Sequence, residues 1–535
     1  MSDRESTVCP FCNLGCRLSF EVKDGEVRRV EYTANSRNEG RLCPRGNAAS
    51  SFVNHPKRLY HSIVEGKSSS IAAGIEYLRR RLSDYKPEEV LFLYDNTFSV
   101  EEIDAYSNWI SASGFKNMAY VSFSPAKVFN YGKRNSVNQD AVTSAGYALI
   151  VGDPYSQFSV VSGYLAKAKS DNKDFRYIVV DSVASNTSHF AHKFIRVKPG
   201  FEGLFMFGLW KVLTGKDKES APLAEALDLE TGAFESTAGM IRNREGILIN
   251  SPVYARSFDP FLTHAVCLRL ARDIDGITYL PLGIRTPGRV AKPFSSFLPM
   301  IMGGRVKAII SFAPTFPWGL MHLRSVLKKA DFVSLSSFFI PEGRFEFDLL
   351  LPMASELEKK GTIQTVFGEE KLNLVIPSIS GTLSVGHYLD RISGSPLASK
   401  GSLPDYYEDF ADSDIEIRAK ALLDMASEKP KKGYKHLLMA SEPAIGFMSV
   451  FENEDWIKIN PRDAQIIEAS QGDEVGVETE QTDIALKLVI SEEIPQGAAL
   501  VSANHGPSLA LFELSTDSST CEGLLKPTWS RLWKK

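Results

Sequence analysis

Four clustered cysteines constrain this chain more than any other feature. Cys9, Cys12 and Cys16 follow a C-x2-C-x3-C spacing, and Cys43 comes later in Leu42-Cys43-Pro44-Arg45-Gly46. The other two cysteines, Cys267 and Cys521, lie far away. Met1-Ser2-Asp3-Arg4-Glu5 shows neither an apolar export segment nor a twin-arginine pair, so a cytoplasmic location is expected. In such a setting clustered thiols read as metal ligands rather than disulfides. Thiolates are soft donors that suit iron–sulfur clusters or zinc. Three closely spaced thiolates wrap one face of a compact object, and a distant fourth can complete a cubane. Structural zinc more often takes two separate C-x2-4-C knuckles. A single later cysteine, with no histidine before His55, therefore favours a [4Fe–4S] cluster on Cys9, Cys12, Cys16 and Cys43. Cys267 sits among apolar residues at helical spacing and reads as a small core residue. Cys521 reads as a free thiol.

The remaining pattern divides the chain. With 535 residues, 43% hydrophobic and 24% charged, it is ordinary globular material too long for one core. A net charge of −4 gives no general attraction to nucleic acid or anionic lipid, and no apolar run is long enough to span a membrane. Residues 17–32 alternate apolar and polar around Asp24-Gly25, which predicts a hairpin and a small β module. A helix is predicted at 71–85 and strands at 90–94, 147–154 (ending in a turn) and 175–181, with a helix at 158–170 between the last two. Strands resume at 306–312 and 332–335. This rhythm predicts parallel sheets with helices on both faces. Residues 400–436 are polar and broken by Gly and Pro, and read as a boundary. A turn and alternating strand at 471–478 and a short strand at 485–490 then predict a small β-barrel.

Four motifs, in this order, resemble those of the molybdopterin oxidoreductases, the family that includes formate dehydrogenase large subunits. They are the cysteine motif ending in Cys43-Pro44-Arg45-Gly46; Val151-Gly152-Asp153-Pro154 with Val179-Val180-Asp181; Asp348 to Glu356 followed by Glu358-Lys359-Lys360-Gly361-Thr362; and Ile459-Asn460-Pro461-Arg462-Asp463-Ala464 with Gly472-Asp473. The resemblance implies an α/β protein with an N-terminal [4Fe–4S] β module at 1–60 and two interleaved, doubly wound α/β domains. The first comprises 61–130 and 311–425, and the second, of nucleotide- and pterin-binding type, 131–310. A C-terminal β-barrel at 436–535 closes over a molybdopterin guanine dinucleotide carrying molybdenum or tungsten. Gly152, Asp153 and Pro154, and Asp181 and Ser182, fall at strand ends where such a ligand binds; an ordinary strand-to-helix turn accounts for the same residues equally well. Arg45 holds the place of a basic residue between cluster and pterin, or is a turn-exposed arginine. Asn504 and His505 resemble a pterin-contacting loop.

The departures are specific. Where formate dehydrogenases carry a Cys or selenocysteine metal ligand followed by His, this chain has Ser122-Phe123. Ser122 can ligate a metal as an alkoxide or cap a helix; Phe123 cannot move a proton. Ser311-Phe312-Ala313-Pro314 replaces a strand-end Asn-Pro, and Phe201-Glu202 replaces Thr-Asp. Two functions are compatible with this mixture. One is an oxidoreductase subunit passing electrons between a pterin-bound metal and the cluster, with iron–sulfur or flavin subunits as partners. The other is a non-catalytic electron relay resembling the large iron–sulfur subunit of respiratory complex I. A formylmethanofuran-dehydrogenase-like subunit is a third, weaker reading.

Overall fold

A computed structural model describes residues 3–34, 36–121, 137–216, 220–251, 255–283, 285, 291–315, 321–341, 347–378, 381–393, 411–428, 430, 432–441, 455–502, 506–516 and 523–535. The N-terminal module is a three-stranded antiparallel sheet, Asp3–Val8, Arg17–Lys23 and Glu26–Glu31. Asp24 and Gly25 both take positive φ (54° and 78°), the geometry of a two-residue hairpin turn matched to strand twist. Phe52 ties the module to the rest of the chain. Its ring meets Phe11 edge-on at 6.1 Å and Phe338 at 5.4 Å.

Two parallel-rich sheets follow. The larger has seven strands in the order Lys67–Ser69, Ser62–Val64, Leu349–Pro352, Phe332–Ser337, Ala308–Phe312, Val90–Tyr94, Asn117–Tyr120. The first two pair antiparallel, and the other five run parallel. The smaller sheet is parallel throughout, in the order Lys193–Arg196, Arg176–Asp181, Tyr147–Gly152, Gly246–Ser251, Ile277–Pro281. Their central strands are buried on both faces, which is why they read as unbroken apolar runs. In each sheet the chain leaves two adjacent strands in opposite directions. That switch lies between Val90–Tyr94 and Ala308–Phe312 in the large sheet, and between Tyr147–Gly152 and Gly246–Ser251 in the small one. Ligand crevices of open α/β sheets form at such points, beyond the carboxyl ends of the strands.

The C-terminal part is a closed six-stranded barrel: His436–Ser441, Ala498–Ser502, Trp456–Ile459, Asp483–Ile490, Glu474–Glu478, Thr528–Lys534. Closure leaves its strands without free edges. It docks on the small sheet's domain: Ala440 N donates to Ala255 O at 3.2 Å and Ala255 N to Leu525 O at 3.0 Å.

Two features differ from the sequence expectation. The stretch read as a boundary holds a helix, Asp412–Ala426, and that helix packs on the small sheet's domain instead of the large sheet's. Its apolar stripe, Ile415, Ala419, Leu422 and Ala426, has helical spacing but is diluted by charged neighbours, so the segment reads as polar. The strand Ala308–Phe312 straddles the expected change of domain after residue 310 and lies wholly in the large sheet. No helix among the described residues is long and apolar enough to cross a membrane.

Candidate metal centre and cofactor cleft

The cysteine loop is closed by Cys9 N donating to Cys16 O at 2.6 Å. Gly15 adopts φ +60° within it, and a Cβ there would lie 2.5 Å from Thr365 Cγ2, so the loop needs glycine against the hairpin that packs on it. Cys43 precedes the short helix Pro44–Asn47, with Pro44 in the first position where its missing N–H is harmless. All four cysteines are buried and share one cavity with Leu14, Leu42, Gly46, Phe158 and Val160. Burial, reinforced by the neighbouring thiols, pushes Cys9 and Cys16 well above the ordinary thiol range. Four thiolates can coexist in so apolar a space only around compensating cationic metal. All four thiols lie on the wall of this one cavity. A cavity with four soft donors on its wall suits a many-atom cluster, each thiolate taking one iron. Half-buried Arg45 lies with its Cζ 5.5 Å from the ring centroid of Phe158, which is part of that wall.

A second cavity opens at the small sheet's switch point. Val151, Gly152, Asn250, Ser251, Asp181, Glu202 and Arg256 line it. Gly152 adopts φ +91°, and a Cβ there would fall 2.6 Å from Ser251 O; only glycine lets the two strand ends approach. Asp181 is buried and accepts from Arg256 Nη2 at 2.9 and 3.1 Å, and from the Ser182 and Val183 amides at 2.7 and 3.2 Å. Burial nevertheless raises its carboxyl pKa. Glu202 is also buried, and neither carboxyl oxygen has a partner at hydrogen-bonding geometry, although the nearby Ser182 hydroxyl favours its ionised form. Arg256 Nε is likewise buried without a partner. The cavity thus presents the buried Glu202 carboxyl and Arg256 Nε, none of whose atoms has a partner at full hydrogen-bonding geometry, as a site for a polar ligand requires.

Burial, then the Asp181 charge, pushes the Glu202 carboxyl up to about 7 from 4.5. The fold therefore holds a proton that the unfolded chain releases. The stability this gives is full below about 4.5 and is lost as pH rises through about 7. Glu202→Gln keeps the neutral form at every pH, so its thermal midpoint should fall less than that of the parent protein between about pH 5 and about pH 8.

The other expected residues divide. Asp153 is occupied locally: it caps the turn Pro154–Gln157 through Ser156 N at 3.4 Å and accepts from the Thr187 hydroxyl. Pro154 opens that turn. Ser182 lies 3.8 Å from Met439 Sδ on the first barrel strand, where the barrel meets the small sheet. Ser122, Phe123, Asn504, His505 and Cys521 lie outside the described residues.

A polar cluster that sequence reasoning did not single out as a site occupies the large sheet's switch point. Asp95 accepts from the Thr97 and Thr315 amides at 2.9 and 2.8 Å and from both their hydroxyls. Fully buried Arg285 donates to Asn96 O at 2.5 Å and lies 3.5 Å from Glu356. Lys359 donates to Glu102 at 2.6 Å and to Thr97 O at 3.0 Å. Burial raises the pKa values of Asp95 and Glu356 and lowers that of Arg285. Arg285 Nε and Nη1 and Glu356 Oε2 have no partner. Glu356 and Lys359 belong to the third of the four motifs; Arg285 and Arg256 come from loops with no periodic signal.

The first of these sites matches a known family. Residues 4–55 match the molybdopterin oxidoreductase Fe4S4 domain. This stretch is an Fe4S4 domain of that family. The chain is 24% identical over 209 residues to the F420-dependent formate dehydrogenase 2 subunit alpha of Methanococcus maripaludis, covering 36% of this chain and 30% of that protein. It is 23% identical over 238 residues to an NADH-quinone oxidoreductase subunit of Rhizobium meliloti, covering 40% of this chain and 27% of that one. The aligned stretches thus span only about a third of these relatives' own length. The fold as a whole is that of acetylene hydratase from Pelobacter acetylenicus, with TM-score 0.69 and 13% identity over 99% of this chain and 100% of that one. The stretch matched by the Fe4S4 model is therefore followed by both sheets and the barrel, in the fold shared with acetylene hydratase.

Proposed function

We propose that this chain is an iron–sulfur molybdopterin oxidoreductase subunit, formate-dehydrogenase-like, in a larger cytoplasmic redox complex. In this reading electrons pass between a molybdenum or tungsten bis-pterin guanine dinucleotide and a [4Fe–4S] cluster, and partner subunits, iron–sulfur or flavin proteins, take them onward. The observation that carries it is the cavity at the small sheet's switch point, where the docked barrel meets that domain. The unpartnered oxygens of Glu202 suit the N–H donors of a guanine edge, and Arg256 Nε suits an acceptor. The backbone at Gly152 can approach a phosphate closely, with Asp181 and Ser182 at the neighbouring strand end. The Arg285–Glu356 cluster would take the corresponding part of a second dinucleotide. When bound, the pterin-held metal would supply two-electron chemistry, with the cluster releasing electrons singly. Arg45 would stand between the two centres, Asn504 and His505 would contact pterin, and Ser122 would be the protein's ligand to the metal. Phe123 moves no proton, so the substrate is not fixed as formate by this site.

The test is elemental analysis and pterin extraction on the complex purified anaerobically. About four irons per chain, with molybdenum or tungsten and a guanine dinucleotide of pterin, is the expected result. Iron without molybdenum, tungsten or pterin would overturn the reading in favour of the electron-relay alternative. Phe123 and the likeness to the NADH-quinone oxidoreductase protein favour that alternative.

A further inference from the structure

The cluster cavity is flanked by a charged clamp that joins two distant parts of the chain. Buried Asn38 holds the strand leaving Cys16: its Oδ1 accepts from Arg17 N at 2.8 Å and its Nδ2 donates to Arg17 O at 3.3 Å. This fixes Arg37, the residue before Asn38, close to Cys16. Arg37 Nη2 donates to Glu370 Oε1, and Arg17 Nη2 lies 3.7 Å from Glu370 Oε2. Glu370 belongs to the hairpin Gly361–Thr365 and Gly368–Leu372. Phe367 of the same hairpin lies under the guanidinium, 5.1 Å from Arg37 Cζ. Arg37 O faces the Tyr164 hydroxyl at 3.5 Å, and Tyr164 in turn senses the charges of Cys16 and Cys12. With Nη2 held by Glu370, Arg37 Nη1 is buried and has no partner. Two guanidiniums and one carboxylate leave a net positive charge on this side of the cavity.

Net charge and N–H bonds to the sulfurs set the potential of an iron–sulfur cluster. Reduction adds one electron. A fixed cation favours the reduced form, and a carboxylate on the same clamp opposes it.

We propose that Arg37 is a positioning residue that raises the reduction potential of the [4Fe–4S] cluster, and that Glu370 holds its guanidinium in place while tempering its charge. This rests on the reading that Cys9, Cys12, Cys16 and Cys43 hold a cubane.

The experiment is a redox titration of the anaerobically purified full chain, followed by the electron-paramagnetic resonance of the reduced cluster. Arg37→Leu should lower the midpoint potential with iron content unchanged, and Arg37→Lys should restore part of the difference. Glu370→Gln keeps an acceptor for Nη2 but removes the negative charge, so it should raise the midpoint. Opposite shifts from removing opposite charges cannot come from general loosening of the loop. Midpoints of Arg37→Leu and Glu370→Gln equal to the parent's would overturn the proposal. If Arg37→Leu fails to retain iron, Glu370→Gln alone decides: a raised midpoint supports the clamp, and an unchanged or lowered one refutes it. Parent protein without iron would instead refute the cubane reading itself.

Discussion

Cys12→Ser should leave the chain unable to keep a four-iron centre. Iron should drop from about four to three or fewer per chain, and the signal of the reduced cubane should vanish or give way to that of a three-iron cluster. The reason is geometric as well as chemical. Cys12 is buried with Cys9, Cys16 and Cys43 around one cavity, and none of the other residues lining it can serve as a metal ligand. A serine oxygen is a harder donor than the thiolate and binds iron–sulfur clusters less well. Cys267→Ala supplies the control. That thiol is buried in the helix Pro260–Asp273, its pKa raised by burial alone, and its removal should leave iron content untouched. Equal iron in the parent and Cys12→Ser proteins would remove Cys12 from the ligand set.

Arg58→Met should be among the most destabilising single substitutions. Arg58 follows the Fe4S4 domain closely in sequence, and its side chain and that of Glu358 are both fully buried, 2.9 Å apart. Arg58 Nη2 also donates to Met353 O at 3.2 Å, and its guanidinium lies between the Phe52 and Phe338 rings at 5.8 and 5.7 Å. Glu358 accepts from Ser355 N at 2.7 Å and from the Thr382 hydroxyl at 2.9 Å. Removing the cation leaves a buried carboxylate without its counter-charge, which costs about 3–5 kcal/mol. Denaturant titration should show the loss, and Glu358→Gln in the same chain should recover much of it by discharging the orphan. A single Arg58→Met variant as stable as its parent would mean that Glu358 is neutral in the fold.

What the sequence made legible follows from how local each signal is. The cysteine spacing lies almost wholly within one loop, and the sheets' strands are unbroken apolar runs, so both can be read without knowing the fold. Gly152 and Asp181 could be proposed because each closes a recognisable strand. Glu202, Arg256 and Arg285 meet those strand ends only through topology. Nothing periodic surrounds the two arginines, and Glu202 stood out merely as a replaced residue. Asp153 shows what a strand-end position leaves unsaid: it stands where sequence reading places a ligand contact, and its carboxylate also holds a local cap. The helix Asp412–Ala426 was hidden because charged residues separate its four inward positions.

The cysteine loop is finished by segments made much later in synthesis. Asn13 donates to Pro281 O, 268 positions on, and its own carbonyl accepts from Val366 N at 2.8 Å. Asn373 Nδ2 reaches Ser6 O across 367 positions. During synthesis these residues thus wait for partners some hundreds of positions later before their pocket can shut. The hairpin that settles against Gly15 supplies the last wall of that pocket, so the loop's final shape is a product of the whole chain's folding.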